Sequence, residues 1–139
     1  MIKTVIDCNV IISAGLNDGN CRNLIFKVIQ NHKNYISKEI VDEYVEVISR
    51  KKFKKYYKYM LELITIIVEA STIIDIADYK SKKTQLPDKK DEMYLVTAVK
   101  SKTNYIITGN IKHFPERKYN KVEVITPKEF LEIINKQTS

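Results

Sequence analysis

Short runs of β-branched residues alternate along this 139-residue chain with segments of helical periodicity, and this alternation constrains the fold most. The apolar runs lie in residues 3–13, 105–108 and 122–125, with a weaker extended stretch at 35–37. Apolar and polar residues do not alternate within them, which is typical of strands that are buried on both faces of a parallel sheet. The first run, interrupted only by a polar Asp7-Cys8-Asn9, predicts a strand over residues 3–13.

Between these runs, apolar residues recur at helical spacing in 24–29, 40–48, 60–68 and 94–99, whereas 72–76 is ambiguous. A final helix is predicted from Thr126, Pro127 and Glu129, which suit its N-cap, N1 and N3 positions. No internal repeat or Pro/Gly-rich linker divides the chain. We therefore predict one domain over residues 1–139, with an α/β fold around a mainly parallel sheet.

The charge balance predicts a polyanionic partner. Lys and Arg number 24 against 17 Asp and Glu, for a net charge of +7, and nucleic acid is the usual ligand of such a surface. Residues 50–58 place six cations among three aromatic residues, a pattern that can neutralise phosphates and stack on unpaired bases. A solvated, lysine-rich helix face with buried aromatics is the alternative.

Other features exclude whole classes of protein. Three glycines cannot supply a Gly-x-Gly-x-x-Gly fingerprint or a phosphate-binding P-loop. No apolar run approaches the roughly 20 residues of a membrane-spanning helix, so no membrane partner is expected. Cys8 and Cys21 form no Cys-x-x-Cys pair, and residue 1 leads directly into the first apolar run without a secretory segment. We therefore expect a cytoplasmic protein.

Acidic residues follow or flank the predicted elements at positions where they could meet. Asp7 follows an apolar run, so its carboxylate is costly to bury without a compensating cation, although an Asx turn would also explain it. Glu43 is the acid of its helix nearest the apolar margin, unless it only pairs with a lysine. Asp88 and Asp91 stand at the start of a helix, where the helix dipole alone favours them, but Asp91 shares a face with Tyr94.

Together these acids predict a metal-dependent nuclease. In open parallel sheets ligands bind beyond the carboxyl ends of the strands, where Asp7 and Thr108 would lie. Inward acids from separate elements would repel one another without a hard divalent cation. With Mg²⁺ or Mn²⁺, such a cluster activates water for attack on a phosphodiester. We expect the RNA backbone to be bound by Lys51, Lys52, Lys54, Lys55, Lys89 and Lys90.

Nearly the whole chain resembles the PIN-domain ribonucleases, in particular the toxin branch of toxin–antitoxin pairs. The segments that carry the resemblance are 5–13 (VIDCNVIIS), 37–44 (SKEIVDEY), 88–98 (DKKDEMYLVTA), 105–110 (YIITGN) with 113–115 (HFP), and 125–131 (ITPKEFL). The resemblance implies a three-layer α/β/α sandwich and frequent homodimers. It also implies RNA cleavage that depends on Mg²⁺ or Mn²⁺, and silencing by a small cognate antitoxin.

By this resemblance, Asp7, Glu43 and Asp91 are the catalytic, metal-binding acids, and Asp88 is an additional metal-binding acid. Asn9 would orient Asp7, and the pocket would be supported by Ser13, Thr108 and Asn110. Many members carry a fourth acid at the position of Asn110 or of His113, so a second tightly held ion is not expected here. Asn110 could ligate through its carbonyl, whereas His113 could ligate, contact phosphate, or only pack.

Two other functions stay open at this point. The scaffold could be a catalytically weakened PIN-fold module that binds RNA or a protein partner, because the fourth acid is missing. A phosphatase or hydrolase with Asp7 as nucleophile is less favoured, because Asn9 stands where Asp-x-Asp enzymes carry their second aspartate. The leading prediction is a metal-dependent endoribonuclease that acts as the toxin of a type II toxin–antitoxin pair.

Overall fold

The sheet has the order β3-β2-β1-β4-β6-β5 in the computed structural model, which describes residues 1–79 and 86–138. Its neighbouring strands are parallel except for the antiparallel pair of β5 and β6. The strands are β1 (Lys3–Ile6), β2 (Lys33–Ile36), β3 (Thr72–Ile73), β4 (Tyr105–Ile107), β5 (Lys118–Tyr119) and β6 (Val122–Ile125). This order confirms the prediction of a mainly parallel sheet.

Helices cover the sheet and complete a three-layer α/β/α sandwich, as predicted. Helices α1, α2, α4 and α6 pack against one another: α1 contacts α2 and α4, and α2 contacts α6. Helix α5 instead packs directly against β1, β2 and β4. The helices are α1 (Cys8–Leu16), α2 (Asn20–Asn31), α3 (Lys38–Ile48), α4 (Tyr57–Ala70), α5 (Glu92–Lys100) and α6 (Pro127–Thr138), with 3₁₀ turns at Lys51–Tyr56, Lys89–Asp91 and Ile111–His113.

The prediction of one strand over residues 3–13 is wrong in its second half. Strand β1 ends at Ile6, and α1 begins at Cys8. Val10, Ile11 and Ala14 are buried at helical spacing on one side of α1, which packs on α2 and α4. β-branched residues destabilise a helix only slightly, so the free energy gained by burying this face outweighs their preference for strands. The chain therefore turns at Asp7, directly beyond β1.

The last helix begins as predicted, because its start is defined by local contacts. The Thr126 hydroxyl accepts a hydrogen bond from the Glu129 amide at 3.1 Å, and the Glu129 carboxylate accepts one from the Thr126 amide at 2.9 Å. This reciprocal pair is a capping box. Strand β5 was not predicted. It pairs with β6 across a turn at Asn120, whose φ of 54° lies in the left-handed region that asparagine tolerates.

None of the helices in residues 1–79 and 86–138 is both long enough and apolar enough to cross a membrane. The weak stretch at 35–37 belongs to β2, and the ambiguous 72–76 contains the short strand β3. The helices predicted in 24–29, 40–48, 60–68 and 94–99 are α2 to α5.

Candidate active site

The order of the strands reverses at β1, which lies between β2 and β4 in the sheet. The chain moves from β1 to β2 on one side, and later reaches β4 on the other. The two central strands end together, because the Asp7 amide donates to the Ile107 carbonyl at 2.9 Å. Asp7 and Thr108 therefore follow neighbouring strands at the place where parallel sheets form a crevice for ligands.

Asp7 is buried at this point and its carboxylate is held by two side chains. It is only 4% exposed, and its Oδ2 accepts hydrogen bonds from the Thr108 hydroxyl at 2.7 Å and from the Asn9 amide at 3.2 Å. The Asn9 Oδ1 accepts from the Gly109 amide at 2.9 Å, which fixes the orientation of Asn9. The Asp7 side chain makes no capping bond to α1, so it does not serve as a helix cap.

Burial raises the pKa of Asp7 above its usual range, although the Thr108 hydroxyl opposes this by stabilising the carboxylate. The hydrogen bonds that the carboxylate accepts stabilise its charged form, and a nearby positive charge stabilises that form further. His113 supplies a weak influence of that kind, since its charge lowers the pKa of Asp7.

Glu43 reaches this crevice from α3. Its Oε1 accepts a hydrogen bond from the Tyr94 hydroxyl at 2.6 Å, and the same hydroxyl accepts one from the Cys8 amide at 3.2 Å. Burial raises the pKa of Glu43, and the negative charge of Asp7 raises it further. Among the residues that the structure describes, no lysine or arginine forms an ion pair with Glu43. The alternative of a simple lysine-paired helix acid is therefore not observed.

Asp91 reaches the crevice at the start of α5. It is 7% exposed, and burial together with the charge of Asp7 raises its pKa to about 6. Its Oδ2 lies 3.2 Å from Nδ1 of His113 but accepts no hydrogen bond among the described residues. On the other side of the ring, Nε2 of His113 lies 3.0 Å from the side-chain amide nitrogen Nδ2 of Asn110.

Three acids from three elements thus influence one another electrostatically, but their side chains do not form a ready ligand set. Asp7 raises the pKa of both Glu43 and Asp91. Over residues 1–79 and 86–138, no three His, Cys, Asp or Glu side chains are grouped closely enough to hold a metal ion. Mutually repelling carboxylates and a buried Asp91 oxygen without a donor nevertheless fit a hard divalent cation, which prefers oxygen ligands.

The remaining predicted residues divide into those that join the acids and those that do not. Thr108 and Asn9 contact Asp7. The backbone amide of Asn110 donates a hydrogen bond to the Thr108 hydroxyl at 3.0 Å. Asp88 is exposed and accepts from the Lys90 amide at 2.9 Å, although its charge also raises the pKa of Asp91. Ser13 lies half-buried in α1, and no side-chain hydrogen bond to the acids is found for it in the described part of the chain.

The predicted RNA-binding lysines are exposed and lie in two 3₁₀ turns. The turn Lys51–Tyr56 follows Arg50, which donates hydrogen bonds of 3.0 and 3.3 Å to the Glu46 carboxylate on α3. The turn Lys89–Asp91 ends at Asp91, one of the three acids Asp7, Glu43 and Asp91 that we call the acid cluster. The charge of Lys90 lowers the pKa of Glu43. The structure thus places Lys90 near Glu43. The exposed lysines of the two turns are Lys51, Lys52, Lys54, Lys55, Lys89 and Lys90.

Sequence reasoning missed the contribution of Tyr94, which it assigned only to an apolar stripe. The available signal was its spacing, since Tyr94 follows Asp91 by one helical turn and carries a polar atom on a buried face. Glu92, the acid next to Asp91 in sequence, makes hydrogen bonds of its own. Its carboxylate accepts from the Leu86 amide and the Tyr79 hydroxyl, both at 3.2 Å.

Comparisons with known proteins agree with this geometry. A family model described as PIN domain matches residues 3–112. Uncharacterized protein MJ1680 of Methanocaldococcus jannaschii is 32% identical over 145 aligned positions, which cover 97% of this chain and 93% of that protein. Among solved structures, VapBC2 from Rickettsia felis, bound to a DNA fragment from their promoter, matches with a TM-score of 0.62. That match covers 90% of this chain and 98% of the other at 15% identity, and it shows a shared fold.

Proposed function

This chain belongs to the PIN domain family, and from that premise we propose that it is a divalent-metal-dependent endoribonuclease, the toxin of a type II toxin–antitoxin pair. The observation that supports the proposal is electrostatic: near the carboxyl end of β1, Asp7 raises the pKa of both Glu43 and Asp91, and Glu43 also raises that of Asp91. All three have raised pKa values, and each is brought there by a different element. Family membership supports a nuclease, and the acids identify the residues that would perform it.

Under this proposal Asp7, Glu43 and Asp91 hold Mg²⁺ or Mn²⁺, with Asp88 as a more exposed additional acid. The ion would supply a water of lowered pKa and would offset negative charge on the phosphoryl oxygens. Thr108 and Asn9 keep Asp7 in one orientation through the bonds described above. Hydrogen bonds from neighbouring side chains to a metal-binding carboxylate fix its orientation before the ion binds.

Positive charge around the acids supports a polyanionic substrate. The exposed lysines of Lys51–Tyr56 and the pair Lys89 and Lys90 would neutralise phosphates along the RNA backbone. The charge of Lys90 lowers the pKa of Glu43, which supports a position near the phosphates of a bound RNA. His113, held between Asn110 and Asp91, occupies the place where a fourth acid would stand, so one tightly bound ion is expected.

The partners proposed for this chain are RNA, a small antitoxin protein and a second copy of the chain. The fold neighbour VapBC2, which is bound to a DNA fragment from their promoter, supports the antitoxin. A cytoplasmic location follows from the same proposal, because the RNA substrate and the antitoxin would be found there. Co-expression with a short neighbouring reading frame, followed by co-purification, tests the antitoxin. Light scattering of the purified chain tests the homodimer.

RNA cleavage is the direct test. We expect the wild-type protein to cut single-stranded RNA with added Mn²⁺ and to stop in excess chelator. Asp7→Asn should reduce cleavage by more than about 100-fold, because a direct ligand should matter more than the outer contacts that cost about 10–100-fold. The fold should be retained, since the amide oxygen of asparagine can still accept from Thr108 and Asn9. Full cleavage in chelator or in Asp7→Asn would refute the mechanism.

A second candidate function is a module that binds RNA or a protein without cutting RNA. Two observations favour it, namely the amide and imidazole of Asn110 and His113 in place of an acid, and the open arrangement of the carboxylates. Mn²⁺ titration distinguishes the two functions. Tight RNA binding with no metal-dependent turnover would establish the module, whereas turnover that saturates with Mn²⁺ would establish the nuclease.

A further inference from the structure

The hydroxyl of Tyr94 is a junction between three elements of the candidate site. It donates to Glu43 Oε1 on α3 at 2.6 Å and accepts from the amide of Cys8, the residue after Asp7, at 3.2 Å. Tyr94 itself lies on α5, one helical turn after Asp91. One oxygen atom therefore connects the segments that carry all three acids, although Glu43 and Tyr94 are 51 positions apart in sequence.

The surroundings of Tyr94 keep this junction rigid and keep it a donor. The residue is fully buried, so its ring cannot rotate away from α3. Because the Cys8 amide donates to the hydroxyl oxygen, the hydroxyl directs its own hydrogen to Glu43. Glu43 is only half-buried and has several rotamers of its own, so the bond from Tyr94 selects one of them.

We infer that Tyr94 is a positioning residue, which uses Glu43 Oε1 as its acceptor and thereby directs the other carboxylate oxygen of Glu43 toward the divalent ion. This inference rests on the proposed function. It assigns to a tyrosine the task that Thr108 and Asn9 perform for Asp7. Outer contacts of this kind orient a ligand before metal binding and add to metal affinity.

Tyr44 provides a matched control within the same region. It is as fully buried as Tyr94, and its hydroxyl also makes one donor bond across elements, to the carbonyl of Ile6. The acceptor of Tyr44 is backbone, whereas the acceptor of Tyr94 is an acid of the site. Phenylalanine at either position keeps the ring and removes one buried hydroxyl. Each variant leaves one acceptor without its donor, and Tyr94→Phe also leaves the Cys8 amide without its acceptor.

The experiment compares Tyr94→Phe with Tyr44→Phe in the full-length protein. Mn²⁺ binding is measured by calorimetry, RNA cleavage by initial rates, and folding by thermal unfolding. We expect both variants to unfold at a lower temperature than wild type. Only Tyr94→Phe should bind Mn²⁺ about 10–100-fold more weakly, with a matching loss of cleavage. Equal Mn²⁺ affinities of Tyr94→Phe and wild type would overturn the inference, as would an equal loss of affinity in Tyr44→Phe.

A double variant tests whether Tyr94 acts through Glu43. If it does, Glu43→Ala combined with Tyr94→Phe should bind Mn²⁺ no more weakly than Glu43→Ala alone, because alanine already removes the carboxylate that Tyr94 positions. Additive losses would overturn the inference.

A metal-free readout separates this inference from the proposed function. The ¹³C resonance of the Glu43 carboxyl group should shift in Tyr94→Phe and stay in place in Tyr44→Phe, and an unmoved resonance in Tyr94→Phe would overturn the inference. If that resonance moves but wild type neither binds Mn²⁺ nor cuts RNA, the proposed function fails while the bond between Tyr94 and Glu43 is upheld.

Discussion

The acid cluster and the lysine-rich turn Lys51–Tyr56 carry opposite charges and are constructed in opposite ways. Asp7 and Asp91 are 4% and 7% exposed, and Asp7 is bonded to defined neighbours. The lysines of the turn are exposed and form no ion pairs among the described residues. The difference is that catalysis requires oxygen atoms in fixed positions, whereas binding of a polyanion requires only positive charge at the surface.

The largest effect should separate the buried acids from the exposed one. Asp91→Asn should reduce RNA cleavage by more than about 100-fold, because it removes the charge of a buried acid that is proposed to bind the ion directly. Asp88→Asn should cost less than about 10-fold, because Asp88 is exposed and its oxygen is engaged by the Lys90 amide. Initial cleavage rates at saturating Mn²⁺ measure both. Equal losses in the two variants would mean that burial does not distinguish the acids.

The next effect should separate supporting residues that contact the acids from one that does not. Asn9→Ala should reduce cleavage by about 10–100-fold, since Asn9 bonds Asp7 and Gly109. Ser13→Ala should leave cleavage close to wild type, because no bond from the Ser13 side chain to the acids is found in the described part of the chain. The same rate assay applies. A large loss in Ser13→Ala would show that the pocket extends along α1.

A pH series should show the coupling between protons and metal. The pKa of Asp91 is raised to about 6 in the metal-free protein, so the ion must displace a proton below that pH. Apparent Mn²⁺ affinity should therefore fall by about 10-fold per pH unit below 6 and level off above it.

Folding stability in chelator should show the opposite trend, because a raised carboxyl pKa means that the folded state binds more protons than the unfolded state. The contribution of Asp91 is present at acid pH and is lost as pH rises through about 6. Chemical denaturation of wild type and Asp91→Asn across this range checks the sign. An identical pH dependence in the two proteins would contradict it.

The smallest effect on turnover should come from the lysines. Replacing Lys51, Lys52 and Lys54 together with alanine should raise KM and leave kcat unchanged. The slope of log affinity against log salt should fall by up to about 2, since each contact with single-stranded nucleic acid contributes about 0.7. The control replaces Lys33, Lys118 and Lys121, which lie on strands or turns away from the acids. An equal loss in the control would mean that net charge alone attracts RNA.

Much of the fold could be predicted because burial patterns and caps are local. Non-alternating apolar runs indicated β4 and β6, and Thr126 with Glu129 marked the start of α6. Residues 8–13 were assigned wrongly for the same reason. A β-branched run fits a buried strand or a buried helix face equally well, and only the packing of α1 on α2 and α4 decides between them.

The candidate site could be predicted in part. Asp7 and Thr108 were identifiable because both follow apolar runs, and neighbouring parallel strands end at one edge of the sheet. Helical angle also indicated that Glu43 and Asp91 face the core side of their own helices. It could not indicate that the hydroxyl of Tyr94 would lie between Glu43 and Cys8, because helical angle says nothing about a partner on another helix.

The sequence by itself determined an α/β fold around a mainly parallel sheet and the position of Asp7 after its first apolar run, since both follow from the order of apolar and polar residues along the chain. Only the tertiary structure decided which donors hold each acid and how far its pKa rises. Those properties depend on distances between α3, α5 and the ends of β1 and β4, and such distances are set by packing between elements.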